Sequence, residues 1–181
     1  MSNKFRILWL TGMSGSGKST LAIYAQKICE KYKYKVRVID GDDVRKKDEK
    51  KLGFGYDDVL KNNMRIAKFC LTLKNEGINI VIVPVISPYE EVREKVKKLL
   101  SPFLCLIYIR ASIKSLKERD TKGLYLAMDR GEIDDLIGYS NINPYDEPQD
   151  PSVVIETGNN TPLDDSKKQL FQYMKYFVIK Q

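Results

Sequence analysis

The chain has 181 residues, with 31 Lys and Arg against 24 Asp and Glu for a net charge of +7, and it contains no histidine. The missing imidazole excludes a histidine general base, Ser-His and Cys-His pairs and histidine-ligated metal centres, so carboxylates, Lys, Arg, backbone dipoles or a bound metal must carry any catalysis. At 43% hydrophobic content the length suits one domain with a sizeable core, and the charge points to an anionic partner: a nucleic acid, an acidic membrane surface or a phosphorylated small molecule.

Short apolar runs alternate with longer segments of helical period, which predicts an α/β protein with a parallel sheet. The first strand is expected over Phe5 to Leu10. Its apolar run is too short for a signal-peptide core, so the mature protein is expected to begin near Met1. The strand leads into Gly12-Met13-Ser14-Gly15-Ser16-Gly17-Lys18-Ser19, a full G-x-x-x-x-G-K-S phosphate loop followed by Thr20 and a helix. Such a loop turns successive N–H groups toward phosphate oxygens, and the helix adds its positive end. Lys18 would reach the β- and γ-phosphates of ATP, and the Ser19 hydroxyl would bind Mg²⁺.

The second strand, Lys35 to Ile39, runs into Asp40-Gly41-Asp42. Asp42 is a candidate acceptor for the proton of an attacking hydroxyl, and Asp40 a candidate Mg²⁺ ligand through water, although a plain turn also favours Asp and Gly. The basic run at Lys46, Lys47, Lys50 and Lys51 reads as a solvated face. A helix is expected over Asp57 to Lys74, with Ile66, Phe69, Cys70 and Leu73 on its apolar face. Asn79 to Val83 is the third strand. The surrounding apolar stretch contains Asn79 and Pro84 and falls short of the ~20 residues a membrane span needs.

The fourth strand is expected over Phe103 to Ile109 and the fifth over Ser152 to Glu156. Between them, residues 120–150 lose periodicity around Gly123, Gly131, Gly138, Pro144 and Pro148, as a mobile lid or an ordinary surface insertion would. A closing helix begins near Thr161-Pro162, with a stripe of Leu163, Leu170, Phe171 and Met174. Cys29, Cys70 and Cys105 lack metal-ligand spacing and read as reduced core residues of a cytoplasmic protein. No guanine-binding Asn-Lys-x-Asp motif is present, and a small metabolite kinase fits the length best.

From these residues the chain resembles the adenylylsulfate (APS) kinase family along nearly its whole length. The matching blocks are Gly12 to Thr20, Asp40-Gly41-Asp42 with Val44-Arg45, Leu52-Gly53-Phe54, Asn62 with Arg65, Ile86-Ser87-Pro88, Arg119-Asp120, Lys122-Gly123-Leu124-Tyr125, Gly131-Glu132-Ile133, Gly138 and Pro144 to Pro148. The resemblance implies a P-loop kinase fold, with a five-stranded parallel sheet flanked by helices and a lid near 120–150, in one domain over 1–181. It also implies a homodimer and transfer of the ATP γ-phosphate to a nucleotide 3′-hydroxyl. Carried over residue by residue, Asp42 and Lys18 are catalytic, and Arg119 lies near ATP. Arg45, Phe54, Asn62, Arg65, Ile86, Ser87, Lys122 and Leu136 belong to the acceptor side.

The departures gather on that acceptor side. Val59 stands where the family carries Arg, Leu136 where it carries a stacking Phe, Leu126-Ala127-Met128-Asp129 where it has Lys-Lys-Ala-Arg, and Asp43 where it has Asn; two extra residues separate Gly138 from Pro144. The pattern suggests an altered acceptor such as cytidine diphosphoramidate, the substrate of APS-kinase-like enzymes of bacterial capsule pathways, with APS itself as the alternative. A nucleic-acid-binding P-loop protein and a kinase of a nucleoside monophosphate or sugar acid are the competing classes. The first leaves the phosphate loop without a purpose, and the second lacks the Phe54 and Lys122 to Tyr125 blocks.

Overall fold

A computed structural model of the chain describes residues 5–40 and 53–179. Five parallel strands form one sheet: β1 (Arg6–Thr11), β2 (Val36–Val38), β3 (Ile80–Pro84), β4 (Leu104–Arg110) and β5 (Val153–Glu156), in the order β2-β3-β1-β4-β5. The helices are α1 (Lys18–Lys31), α2 (Tyr56–Asn75), α3 (Glu90–Leu100), the short α4 (Ile113–Arg119) and α5 (Leu124–Asp129), and α6 (Leu163–Met174), which continues as a π-helical turn over Lys175–Ile179.

Side chains of period two sort the sheet into two cores. From β1, Leu8 and Leu10 pack with Ile82, Ile107 and Ile155 against Leu21 and Cys29 of α1 and Leu170 of α6. Ile7 and Trp9 point to the other face, among Ile66 and Cys70 of α2 and Val96 and Leu100 of α3. Each large side chain removed from water in this way contributes about 1.5 to 3 kcal/mol before entropy is counted. All three cysteines are buried free thiols, as their apolar settings imply.

Two expected core residues sit elsewhere. Phe69 is 41% exposed, at the edge of the α2 stripe that Ile66, Cys70 and Leu73 occupy. Leu163 is 48% exposed and overhangs the cleft described below, because α6 starts at that residue. Pro162 stands at the N-cap position instead of in the first turn, and its side chain has no atom that could cap the helix. Among the described residues no helix is long and apolar enough to cross a membrane.

The sheet order turns away in opposite directions at β1: the chain crosses to β2 and β3 on one side and to β4 and β5 on the other. In parallel sheets the crevice beyond the carboxyl ends at such a point is where ligands bind. The phosphate loop, the segment after β3 and residues 120–150 all converge there.

Candidate active site

The phosphate loop follows β1 directly, and Gly17 precedes the first turn of α1. At Gly12, with φ +153°, a Cβ would lie 2.5 Å from the Ile109 carbonyl oxygen and 2.7 Å from Ser16 Oγ, so only glycine lets the loop pass this close to β4. Three clamps hold the loop. Lys18 Nζ donates to the carbonyls of Gly12 and Met13, both at 2.8 Å. Thr157 Oγ1, just past β5, lies 2.8 Å from the Ser16 carbonyl oxygen. The Tyr125 hydroxyl, from α5, donates to the Ser14 carbonyl at 2.9 Å. Tyr125 is 2% exposed, and burial, with Asp120 nearby, pushes its phenol up to about 12, which keeps it a donor at neutral pH.

A cleft of about 440 Å³ lies over this loop. Ser14, Gly15, Gly17, Lys18, Ser19 and Thr20 form its floor, with Asp40 at the end of β2, Ile86 after β3, and Arg119 and Lys122 above. Gly12 and Ser16 form no part of that lining, and Ser16 is buried beneath the loop. A second cavity of about 310 Å³ shares Arg119, Thr157 and Leu163 with the cleft and extends to Asn159 and Ser166. A third, about 160 Å³, shares Ser14, Ile86 and Lys122 with the cleft and is walled by Phe54, Leu124, Ile133, Leu136 and Ile137. The three cavities thus adjoin in a row. Arg119 stands toward one end and Lys122, Phe54 and Leu136 toward the other. The Thr157–Thr161 loop and Asp135 join the site without warning from the sequence, because their polar residues carry no motif.

The segment after β3 is tied to its surroundings by a buried arginine. Arg93 of α3, 2% exposed, donates to the Ser87 carbonyl from Nη1 and the Asp146 carbonyl from Nη2, each at 2.6 Å, and pairs through Nε and Nη2 with the Glu90 carboxylate. Thr11 Oγ1 donates to the Ile86 carbonyl at 2.5 Å and shares a 3.0 Å hydrogen bond with the Tyr145 hydroxyl. Under these restraints Ser87 adopts φ +46°, and its hydroxyl is buried without a hydrogen-bond partner. Ser87 does not cap α3: the Asp146 carboxylate accepts from the first helical N–H, that of Glu90, at 3.0 Å.

Phe54, 39% exposed, sits in a loop held by a 2.8 Å bond from the Gly53 N–H to Asp58 of α2. Asn62 is buried on α2 with its Oδ1 unbonded, and neither Asn62 nor Arg65 lines the three cavities. Val59 is 1% exposed and brings no charge to the site. Asp42 and Arg45 lie outside the described residues.

Residues 120–150 pack down on the phosphate loop. Gly138, at φ +77°, leaves room for Met13, whose Cε would lie 2.7 Å from a Cβ there. Asp129 pairs with Lys117 of α4 at 2.7 Å and accepts from the Tyr139 hydroxyl at 2.6 Å, so the position that departs from the family's lid cation ties α5 to α4. Hydrogen bonding to Lys117, then to Tyr139, holds the Asp129 carboxyl below its ordinary value.

A phosphate loop at the switch point of a five-stranded parallel sheet, with a carboxylate at the end of β2 and cations above the cleft, defines a P-loop kinase. The adenylylsulphate kinase family model matches residues 4–156. The adenylyl-sulfate kinase of Bacillus licheniformis is 39% identical over 174 residues, spanning 96% of this chain and 86% of that protein. A probable adenylyl-sulfate kinase of Aeropyrum pernix is 35% identical over 176 residues, covering 95% of this chain and 93% of its own length. Among solved structures, the APS kinase of Mycobacterium tuberculosis in complex with AMPPNP and APS superposes with a TM-score of 0.79 at 26% identity, covering 95% of this chain and 98% of that one. The chain belongs to the adenylylsulphate kinase family, and it is an ATP-using phosphotransferase with an alcohol acceptor.

Proposed function

We propose that the protein transfers the γ-phosphoryl group of ATP to the 3′-hydroxyl of a nucleotide acceptor, as one kinase domain whose residues 120–150 act as its lid. The observation that carries this reading is the row of three cavities: Ser14, Ile86 and Lys122 are common to the phosphate-loop cleft and the small apolar pocket, so a phosphoryl group passing between two bound nucleotides would cross there. The base of ATP would occupy the cavity beside Arg119 and Thr157, and its phosphates the loop. Lys18 would leave the Gly12 and Met13 carbonyls for the phosphate oxygens, and Lys122 would stabilise charge at the crossing point. Asp42 is the carboxylate that the family resemblance assigns to the attacking hydroxyl.

The Ser19 hydroxyl and Asp40 carboxylate, from two residues that line the cleft, are hard oxygen donors of the kind Mg²⁺ takes alongside substrate phosphates. Bound there, the ion would neutralise charge on the β- and γ-phosphates. The homodimer implied by the family likewise belongs to this proposal, with sedimentation as its test.

For the acceptor, the names of the Bacillus and Aeropyrum relatives speak for APS and not for cytidine diphosphoramidate. The altered acceptor rests on this chain's own residues: Val59 buried where the family has Arg, Leu136 in place of an aromatic, and Asp129 engaged with Lys117. A base–aromatic stack is worth ~1 to 3 kcal/mol, so Leu136 in place of an aromatic weakens the hold on the adenine of APS. Side-by-side assays with ATP, Mg²⁺ and either APS or cytidine diphosphoramidate decide between them. Efficient 3′-phosphorylation of APS alone overturns the altered acceptor, and preference for the cytidine compound overturns APS.

A further inference from the structure

Among the described residues, Asp135 is the one acidic residue that lines the apolar pocket beside the phosphate-loop cleft. Its neighbours in the wall are Phe54, Leu124, Ile133, Leu136 and Ile137, and among the described residues the one cation lining the pocket is Lys122, at the side shared with the cleft. Asp135 is half-buried, and its side chain makes no hydrogen bond or ion pair with any described residue. Its backbone is fixed: Asn143 Nδ2 donates to the Asp135 carbonyl at 2.9 Å, and Asn143, 4% exposed, closes a tight turn in which the Gly138 N–H donates to the Asn143 carbonyl at 2.7 Å. The two extra residues between Gly138 and Pro144 lie in this turn, so the length change in the chain supports the position of Asp135.

A carboxylate is a poor neighbour for the phosphate end of a nucleotide, where like charge repels. Among apolar and aromatic walls the base is the part that fits, and an ionised carboxylate offers it acceptors only. An exocyclic amino group on the base edge satisfies that carboxylate, whereas a keto oxygen faces it acceptor to acceptor. A site built to bond one polar group rejects the analogue that lacks it more strongly than an apolar pocket can.

Resting on the proposed acceptor site, we propose that Asp135 is a specificity-determining residue that accepts a hydrogen bond from the exocyclic amino group of the acceptor base, so that the enzyme selects amino-bearing bases, adenine or cytosine, over their keto counterparts. The selection is independent of what is attached to the nucleotide's 5′ phosphate.

Calorimetric binding of AMP against IMP, and of CMP against UMP, to the full chain with ADP and Mg²⁺ present tests this without requiring turnover. The wild type binds the amino member of at least one pair about tenfold more tightly, which corresponds to about 1.4 kcal/mol. Asp135→Asn, whose amide both donates and accepts, brings that ratio to within threefold, while ADP affinity and the melting temperature stay unchanged. Asp135→Ala, which removes the acceptor altogether, also loses the ratio. Equal binding within both pairs in the wild type, binding of none of the four, or an unchanged ratio in Asp135→Asn overturns the proposal. Absence of any 3′-phosphorylated product with ATP refutes instead the kinase reading on which it rests, so the two failures are told apart.

Discussion

Replacing Arg93 by Met removes the guanidinium that holds the loop after β3 to residues 145–149. Arg93 is 2% exposed and engages the Ser87 and Asp146 carbonyls together with the Glu90 carboxylate. Methionine fills much of the volume but leaves both carbonyls short of a donor and the Glu90 charge unpaired. Breaking a buried pair by deleting one partner costs ~3 to 5 kcal/mol. Glu90 keeps 18% exposure, so solvent screening favours the low end. At ~2 to 4 °C per kcal/mol for a chain of this size, a cost of about 3 kcal/mol lowers the melting temperature by about 6 to 12 °C. Arg93→Met/Glu90→Gln recovers part of the loss, because the unpaired charge is gone. If the loop after β3 serves the acceptor as proposed, the KM for the acceptor rises while that for ATP holds. Calorimetry and initial-rate kinetics read both effects. A drop below about 2 °C, or a kinetic defect that falls on ATP, refutes the reasoning.

Lys18→Ala leaves the melting temperature near wild type and lowers turnover by about 10²-fold or more, by analogy with removing one donor from a site of developing charge; steady-state kinetics beside a thermal melt checks it. Cys29 and Cys70, both pushed up to about 12 by burial, resist alkylation in the folded protein at pH 8 and react once it is denatured, as thiol titration with and without denaturant measures. Asp129 is depressed below its ordinary value of 3.8, so the stability it contributes is complete above that value and is lost as pH falls through its lower folded value. The protection of α5 amides, taken relative to their intrinsic exchange rate at each pH, therefore stays flat at neutral pH and falls in acid below 3.8, and Asp129→Asn removes the acid-side change.

What the sequence made legible follows from the range of the interactions involved. The apolar runs expected as strands overlap β1 to β5 with shifts of at most one residue at their ends, and the helix expected over Asp57 to Lys74 spans Tyr56–Asn75, because alternation and helical period are local properties. The phosphate loop was readable for the same reason, since its glycines, Lys18 and Ser19 are contiguous. Phe69 and Leu163 are more exposed than their period implies, because period assigns a face and does not say how far a neighbouring element covers it.

Ser87 shows the deeper limit. Its left-handed backbone and buried hydroxyl depend on Arg93 and on Asp146, residues that only the tertiary fold brings to it. Residues 120–150 read as aperiodic, yet they contain α5 and pack through Tyr125 and Gly138 onto the phosphate loop. Asp135 carried no signal at all in the chain: its interest lies in the apolar residues around it and in its lack of a partner, which are properties of the folded pocket.

The position of the transferred phosphate on the acceptor tests the central claim most directly. Phosphorus and proton magnetic resonance of the product formed from ATP, Mg²⁺ and the better of the two acceptors is predicted to show the new phosphorus coupled to the ribose H3′, with one ADP released per product. ATP hydrolysis without a phosphorylated acceptor, or phosphate attached anywhere other than the 3′-oxygen, contradicts it.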